Sequence, residues 1–205
     1  MKQAVFLDRD GVINAMVYNT EFGLVDSPAN PREFRLLPGV PDAIRLFNQL
    51  GYLVVVISNQ PGIAKGKFTP ALLEAMTHQM RSELAAQGAR LDAIYYCFHH
   101  PEGVIKPYRQ VCDCRKPKPG LLLRASQELD IALDQSYFIG DGITDIQAGQ
   151  AAGTTNILVY SSFKCYICGE LNRHDVQPDH TVNSLYDGAR LIQQFARRDE
   201  QVNQG

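Results

Sequence analysis

The sequence holds no apolar run approaching the roughly 20 residues of a membrane-spanning helix. Its longest, Tyr52 to Ile57, has the length of a strand. It also lacks an excess of charge: 20 basic side chains against 22 acidic ones leave −2. That balance omits the electrostatic footprint of a nucleic-acid binder. There is no internal repeat and no low-complexity segment. Met1-Lys2-Gln3-Ala4 leads straight into Val5-Phe6-Leu7-Asp8, so no signal peptide is expected and the expected setting is the cytoplasm. Cysteines number five, and an odd count without a secretion signal argues against a disulfide framework.

What is present suits a packed domain. The chain has 205 residues, 45% of them hydrophobic, enough for one core and too apolar for wholesale disorder. One domain is expected over residues 1–196, as a monomer, with a polar tail at 197–205 that frays. Short apolar runs at Val5–Leu7, Tyr52–Ile57, Ile94–Tyr96, Tyr137–Ile139 and Asn156–Tyr160 read as strands. Between them lie helical spacings: 40–50 closed by Gly51, then Thr69-Pro70 onward to Gly88, 119–129 and 144–152. Leu185 to Ala196 reads as the last helix. Strands alternating with helices predict an α/β fold, a three-layer Rossmann-like and mostly parallel sheet with helices on both faces. Residues 15–38, 97–118 and 161–178 interrupt the alternation, and no large cap domain is evident.

In such sheets ligands bind beyond the carboxyl ends of the strands. The residues just after the predicted strands are polar or metal-ligating: Asp8 and Asp10, Ser58 and Asn59, Cys97 and His99, Gly140 and Asp141. Asp8-Arg9-Asp10-Gly11 alone reads equally well as a turn. Taken together, Asp8-x-Asp10-Gly11-Val12, Ser58, Lys116 and Gly140-Asp141-x-x-x-Asp145, in that order, resemble the four motifs of the haloacid-dehalogenase superfamily of phosphotransferases.

The resemblance spans roughly residues 4–160 and implies a mechanism. Asp8 is the expected nucleophile, forming an aspartyl-phosphate. Asp10 is the expected acid that protonates the leaving alkoxide and then activates water. Two carboxylates and a phosphate dianion repel one another, so Mg²⁺ is implied, held by Asp8, the backbone carbonyl of Asp10, and Asp141. Asp145 would support them or merely start the next helix. Ser58 with the backbone of Asn59 would hold the transferring oxygens, and a lysine would neutralise their charge. Lys116 and Lys118 both offer that charge; the resemblance favours Lys116, with Arg115 on the substrate and Lys118 solvated.

Cys97-x-His99 and Cys112-x-Cys114 supply three thiolates and an imidazole, a closed tetrahedral set for structural Zn²⁺ that would staple the 97–114 loop. His100 is a second candidate imidazole; the spacing and the resemblance favour His99. The pattern C-x-H-H-P-x-G … C-x-C-R-K-P is similar to the heptose-bisphosphate phosphatases within that superfamily. The histidinol-phosphate phosphatases share the plan with a typically shorter loop. The implied substrate is a small sugar bisphosphate on the way to a surface glycan such as lipopolysaccharide. Its phosphate distal to the anomeric centre is the one removed. Met16, Val17, Tyr18, Asn19, Asn59, Gln60 and Arg115 are the expected substrate contacts. Gly142 stands where close relatives carry a basic residue, and Tyr18 to Pro38 is longer than the usual substrate loop. A zinc-stapled binding module without activity is the reading of another class; it is opposed by the presence of every phosphotransfer position. Cys165-x-x-Cys168 lies outside the pattern and is expected to have no special role.

Overall fold

The computed structural model describes residues 1–20, 23–160 and 171–202. Six parallel strands form the central sheet in the order β5-β4-β1-β6-β7-β8. They are β1 (Ala4–Leu7), β4 (Leu53–Asn59), β5 (Ala93–Cys97), β6 (Tyr137–Gly140), β7 (Thr155–Val159) and β8 (His180–Val182). The helices are α1 (Val40–Gln49), α2 (Pro70–Ala85), α3 (Gly120–Leu129), α4 (Ile143–Ala152) and α5 (Leu185–Val202).

The inner strands are apolar without interruption because both faces are covered. Val5 and Leu7 enter one core with Val54 and Val56, under Ile44 and Phe47 of α1, Met76 and Met80 of α2, and Ile192 of α5. Ala4 and Phe6 enter the other with Val55 and Ile57, under Leu121, Leu122 and Ala125 of α3 and Ala148 of α4. This period-2 division of one strand between two cores makes three layers. Thr69 starts α2 as read from the sequence: its hydroxyl accepts the Leu72 N–H at 3.3 Å, with Pro70 opening the helix. A cap of this kind contributes about 1 kcal/mol.

Three features were not in the sequence pattern. A hairpin of β2 (Val17–Asn19) and β3 (Leu24–Asp26) stands on the irregular stretch after β1. β8 extends the sheet beside β7. Each of these strands has three residues, too few to display a period. Helix α5 continues to Val202 rather than ending at Ala196, so the segment expected to fray is helical as far as it is described. Arg197, Arg198 and Glu200 are good helix formers, so the helix continues without an apolar stripe.

The hairpin is the only pair of strands between β1 and α1 among the described residues. Its Asp26 carboxylate is ion-paired with Lys67, beyond β4, so it is tied across the same edge where β1, β4 and β6 terminate. No helix among the described residues is long and apolar enough to cross a membrane.

Candidate active site

β1 delivers Asp8 to the carboxyl edge of the sheet, and the Asp8 N–H bonds the Ile139 carbonyl of β6 at 3.0 Å. The chain then turns at Gly11, whose φ is +88°. A Cβ there would sit 1.8 Å from Asp141 Oδ2. Only glycine serves both requirements. The turn therefore brings the Asp8–Asp10 segment against the aspartate that follows β6.

Carboxylate oxygens of Asp8, Asp141 and Asp145 lie within 4.8 Å of one another. Lys116 completes the group. Its buried Nζ is 2.9 Å from Asp8 Oδ1 and 2.7 Å from Asp145 Oδ1, and donates to the Ile57 carbonyl at 2.9 Å. Burial opposes its charge, but Asp145 and Asp8 outweigh that and raise its pKa above the usual lysine range. Burial pushes the Asp8 carboxyl up, and Lys116 only partly offsets this. A nucleophile so placed needs more positive charge than Lys116 supplies. Three hard carboxylates around an under-neutralised nucleophile fit a divalent cation with oxygen ligands.

Asp145 does both things anticipated for it. Its Oδ2 accepts the N–H groups of Asp141 at 3.2 Å and Gly142 at 2.9 Å, which closes the start of α4, while Oδ1 holds Lys116. Asn59 clasps the lysine from the other side: its amide donates to the Lys116 carbonyl and accepts the Lys116 N–H, both at 3.1 Å. The Lys116–Pro117 peptide bond is cis. Lys118 is exposed.

Asp10 is buried in a separate network. Oδ1 accepts from Arg9 Nε at 3.0 Å, Arg9 Nη2 at 2.8 Å and Asn14 Nδ2 at 3.0 Å. Oδ2 accepts from Gln60 Nε2 at 2.7 Å and Arg9 Nη2 at 3.1 Å. Burial pushes this carboxyl up, but Arg9 and the bonds from Asn14 and Gln60 outweigh it and hold it below the usual range. Sequence reading singled out neither Arg9 nor Asn14. The available signal was an arginine between two aspartates at the end of a strand buried on both faces, where a cation needs a partner.

The expected substrate contacts do not all share one surface. Met16 and Tyr18 line a mostly apolar cavity of about 450 Å³ that also touches Gly11, Asp141, Tyr160 and Leu185. Arg115 is outside that lining, its Nη1 donating to the His99 carbonyl at 3.4 Å. Val17 and Asn19 bound β2, whereas Asn59 and Gln60 face inward onto Lys116 and Asp10. Cys165 and Cys168 lie outside the described residues.

Beyond β5 the second donor set is gathered. Cys97, Cys112 and Cys114 Sγ are 3.3–3.6 Å apart, and His99 Nδ1 is 3.3 Å from Cys114 Sγ and 3.8 Å from Cys97 Sγ. A tetrahedron with zinc–sulfur arms of about 2.3 Å has edges of about 3.8 Å, so the four donors fit Zn²⁺. Burial raises the pKa of the Cys97 and Cys114 thiols, so a bound cation would be what draws off their protons. His100 turns elsewhere, its Nδ1 accepting the Glu102 N–H at 3.1 Å.

An aspartate just after the central strand, a second two residues on, a lysine clamped by two carboxylates and an acidic pair that follows the neighbouring strand are the arrangement of a phosphatase of the haloacid-dehalogenase type. Comparison with known proteins agrees. A family model described as HAD-hydrolase-like matches residues 113–188. The D-glycero-β-D-manno-heptose-1,7-bisphosphate 7-phosphatase of Escherichia coli K12 is 47% identical over 157 residues, 76% of this chain and 78% of that protein. Its namesake in Haemophilus influenzae is 38% identical over 96% of this chain and all of that one. The solved D,D-heptose 1,7-bisphosphate phosphatase of B. bronchiseptica, in complex with magnesium and phosphate, superposes with a TM-score of 0.78. It is 31% identical and covers 95% of this chain and 99% of its own. The chain belongs to the heptose-bisphosphate phosphatase family of haloacid-dehalogenase-like hydrolases.

Proposed function

We propose that the chain removes the 7-phosphate of D-glycero-β-D-manno-heptose 1,7-bisphosphate through an aspartyl-phosphate on Asp8. The observation that carries the reading is the clamp at Lys116, which sets one buried ammonium against the nucleophile within reach of the transferring oxygens. Asp8 attacks phosphorus and the bond to the leaving oxygen breaks. Asp10, which Arg9 keeps ionised at rest, first takes a proton from solvent, passes it to that oxygen, and then takes one from the water that hydrolyses the aspartyl-phosphate. Ser58 and the backbone at Asn59 hold the phosphoryl oxygens, and Lys116 balances their growing charge. Asp8, Asp141 and the Asp10 carbonyl would hold Mg²⁺, which supplies the charge neutralisation that lets a carboxylate approach a phosphate dianion.

Arg115 is the cation placed to meet a second anionic group on the substrate, and Met16, Val17, Tyr18 and Asn19 border the sugar. The Cys97, His99, Cys112, Cys114 set would carry a structural Zn²⁺. The reduced thiols this requires suit the cytoplasm. The monomer expected from the sequence completes this reading, since every group named comes from one chain.

Steady-state rates on both anomers of the heptose bisphosphate and on histidinol phosphate test the proposal. The expected outcome is a kcat/KM for the β-anomer at least tenfold above the other two. A preference for histidinol phosphate overturns it.

A further inference from the structure

Gln60, expected from the sequence to touch substrate, is 1% exposed and lies beneath the site. Its amide orientation is forced by its neighbours. Arg9 Nη2 can only donate, so it takes Gln60 Oε1, at 3.1 Å. The Asp10 carboxylate can only accept, so it takes Gln60 Nε2, at 2.7 Å. The second N–H of that Nε2 goes to Ser58 Oγ at 3.1 Å. A serine hydroxyl that accepts from one side keeps its own proton for the other. Ser58 is buried, and read as the phosphoryl anchor it has that proton to give to the phosphoryl group.

The same network loads the two Asp10 oxygens unequally. Oδ1 takes three donors, two from Arg9 and one from Asn14. Oδ2 takes one short bond from Gln60 and the longer share of Arg9 Nη2, at 3.1 Å. Oδ2 is therefore the less heavily bonded oxygen, and its shortest bond is the one from Gln60.

We infer that Gln60 is a positioning residue held by Arg9: one amide aims both the Asp10 oxygen that serves the leaving group and the Ser58 hydroxyl that serves the phosphoryl group. This rests on the reading of Asp10 as proton donor and Ser58 as phosphoryl anchor. It replaces a contact with substrate by a coupling between two catalytic groups, drawn from β1 and β4. Arg9 acts at one remove, because without its donation to Oε1 the amide is free to turn its carbonyl toward Asp10.

The test uses Gln60→Met, which keeps the volume and removes the polar atoms, and Gln60→Glu, which keeps an acceptor for Arg9 and presents no N–H. Both are assayed on heptose bisphosphate, whose alkoxide leaving group needs a proton, and on 4-nitrophenyl phosphate, whose leaving group does not. The expected result is a kcat lowered about 10- to 100-fold on the sugar with KM changed less than about threefold. The kcat/KM loss should be at least about fivefold smaller on the aryl ester, which has no use for the Asp10 proton. Ser58→Ala combined with Gln60→Met should lose at least about threefold less than the product of the single losses, as expected of residues acting through one another.

A raised KM at unchanged kcat, equal losses on both esters, or strictly multiplicative losses overturns the inference. Circular dichroism melts certify folding, and Gln60→Glu decides the matter if the methionine variant does not fold. Should the wild-type protein ignore the heptose bisphosphate, the functional reading fails. The aryl ester with the Ser58 cycle then still decides the role of Gln60.

Discussion

Lys116 keeps its charge in a place that offers almost no water, because two carboxylates and a carbonyl replace it. Removing one partner from such a set leaves the others uncompensated, which costs about 3–5 kcal/mol. Lys116→Met should therefore lower stability by about that amount and kcat by roughly 10²–10³-fold, the usual loss of a preorganised charge at a developing anion. The sign of the pH dependence follows from the raised pKa. Below the ordinary lysine value of 10.5 the contribution is fully present, and it is lost as pH rises through the higher value in the fold. Urea unfolding of the two proteins should show a constant gap between about pH 7 and 9 that narrows only in strong alkali. A gap already closing near pH 8 would mean that the ammonium is not held by Asp8 and Asp145. The sequence offered two lysines here, and spacing alone could not rank them. Burial does, since Lys116 is inside and Lys118 is exposed.

At the scale of elements, what could be read in the chain was what repeats or what is buried on two faces. β1, β4 and the helices flanking them announce themselves because each inner strand feeds two cores and each helix feeds one. The hairpin and β8 do not, since their short strands are fixed by pairing with neighbours rather than by their own pattern. The site was legible wherever a strand ended in Asp, Ser or Cys. It was illegible where a side chain turned inward, as with Arg9, Asn14, Asn59 and Gln60, because a one-dimensional spacing does not say which way a loop residue faces.

The 97–114 loop carries the Cys97, His99, Cys112 and Cys114 donors. It docks on the segment after β4 through the Val104 and Ile105 N–H groups, which share the Ala64 carbonyl at 2.8 and 3.0 Å. Lys116 lies only two residues past Cys114. Replacing Cys112 and Cys114 by Ser should abolish zinc, about one per chain in the wild type by elemental analysis, and cost at least about tenfold in kcat. The far-UV circular dichroism should be retained, because the six-stranded sheet does not pass through the loop. Full zinc occupancy in that double variant would exclude the site.

The whole molecule is close to neutral, yet its charge is unevenly spread. Asp8, Asp10, Asp141 and Asp145 meet Arg9 and Lys116 at one edge of the sheet, four carboxylates against two cations, all buried except Asp8, which is nearly so. The formal charge of that group, −2, equals in size the positive charge of one divalent cation. The carboxylates come from the segments after β1 and β6 and from α4, and Lys116 from the loop ahead of α3, so a cation at their meeting point ties together segments that separate on unfolding. Binding to the native state alone stabilises by mass action, about 2.7 kcal/mol at a hundredfold excess over Kd. For a chain of this size about 2–4 °C of Tm accompanies each kcal/mol, so saturating Mg²⁺ should raise Tm by roughly 5–10 °C. The measurement adds MgCl₂ to zinc-loaded, dialysed protein without chelator, so the cysteine loop is the same in both samples. In Asp141→Asn the shift should fall to about a third or less, since one anionic ligand is gone. A shift of equal size in that variant would place the cation elsewhere and remove Asp141 from its ligands.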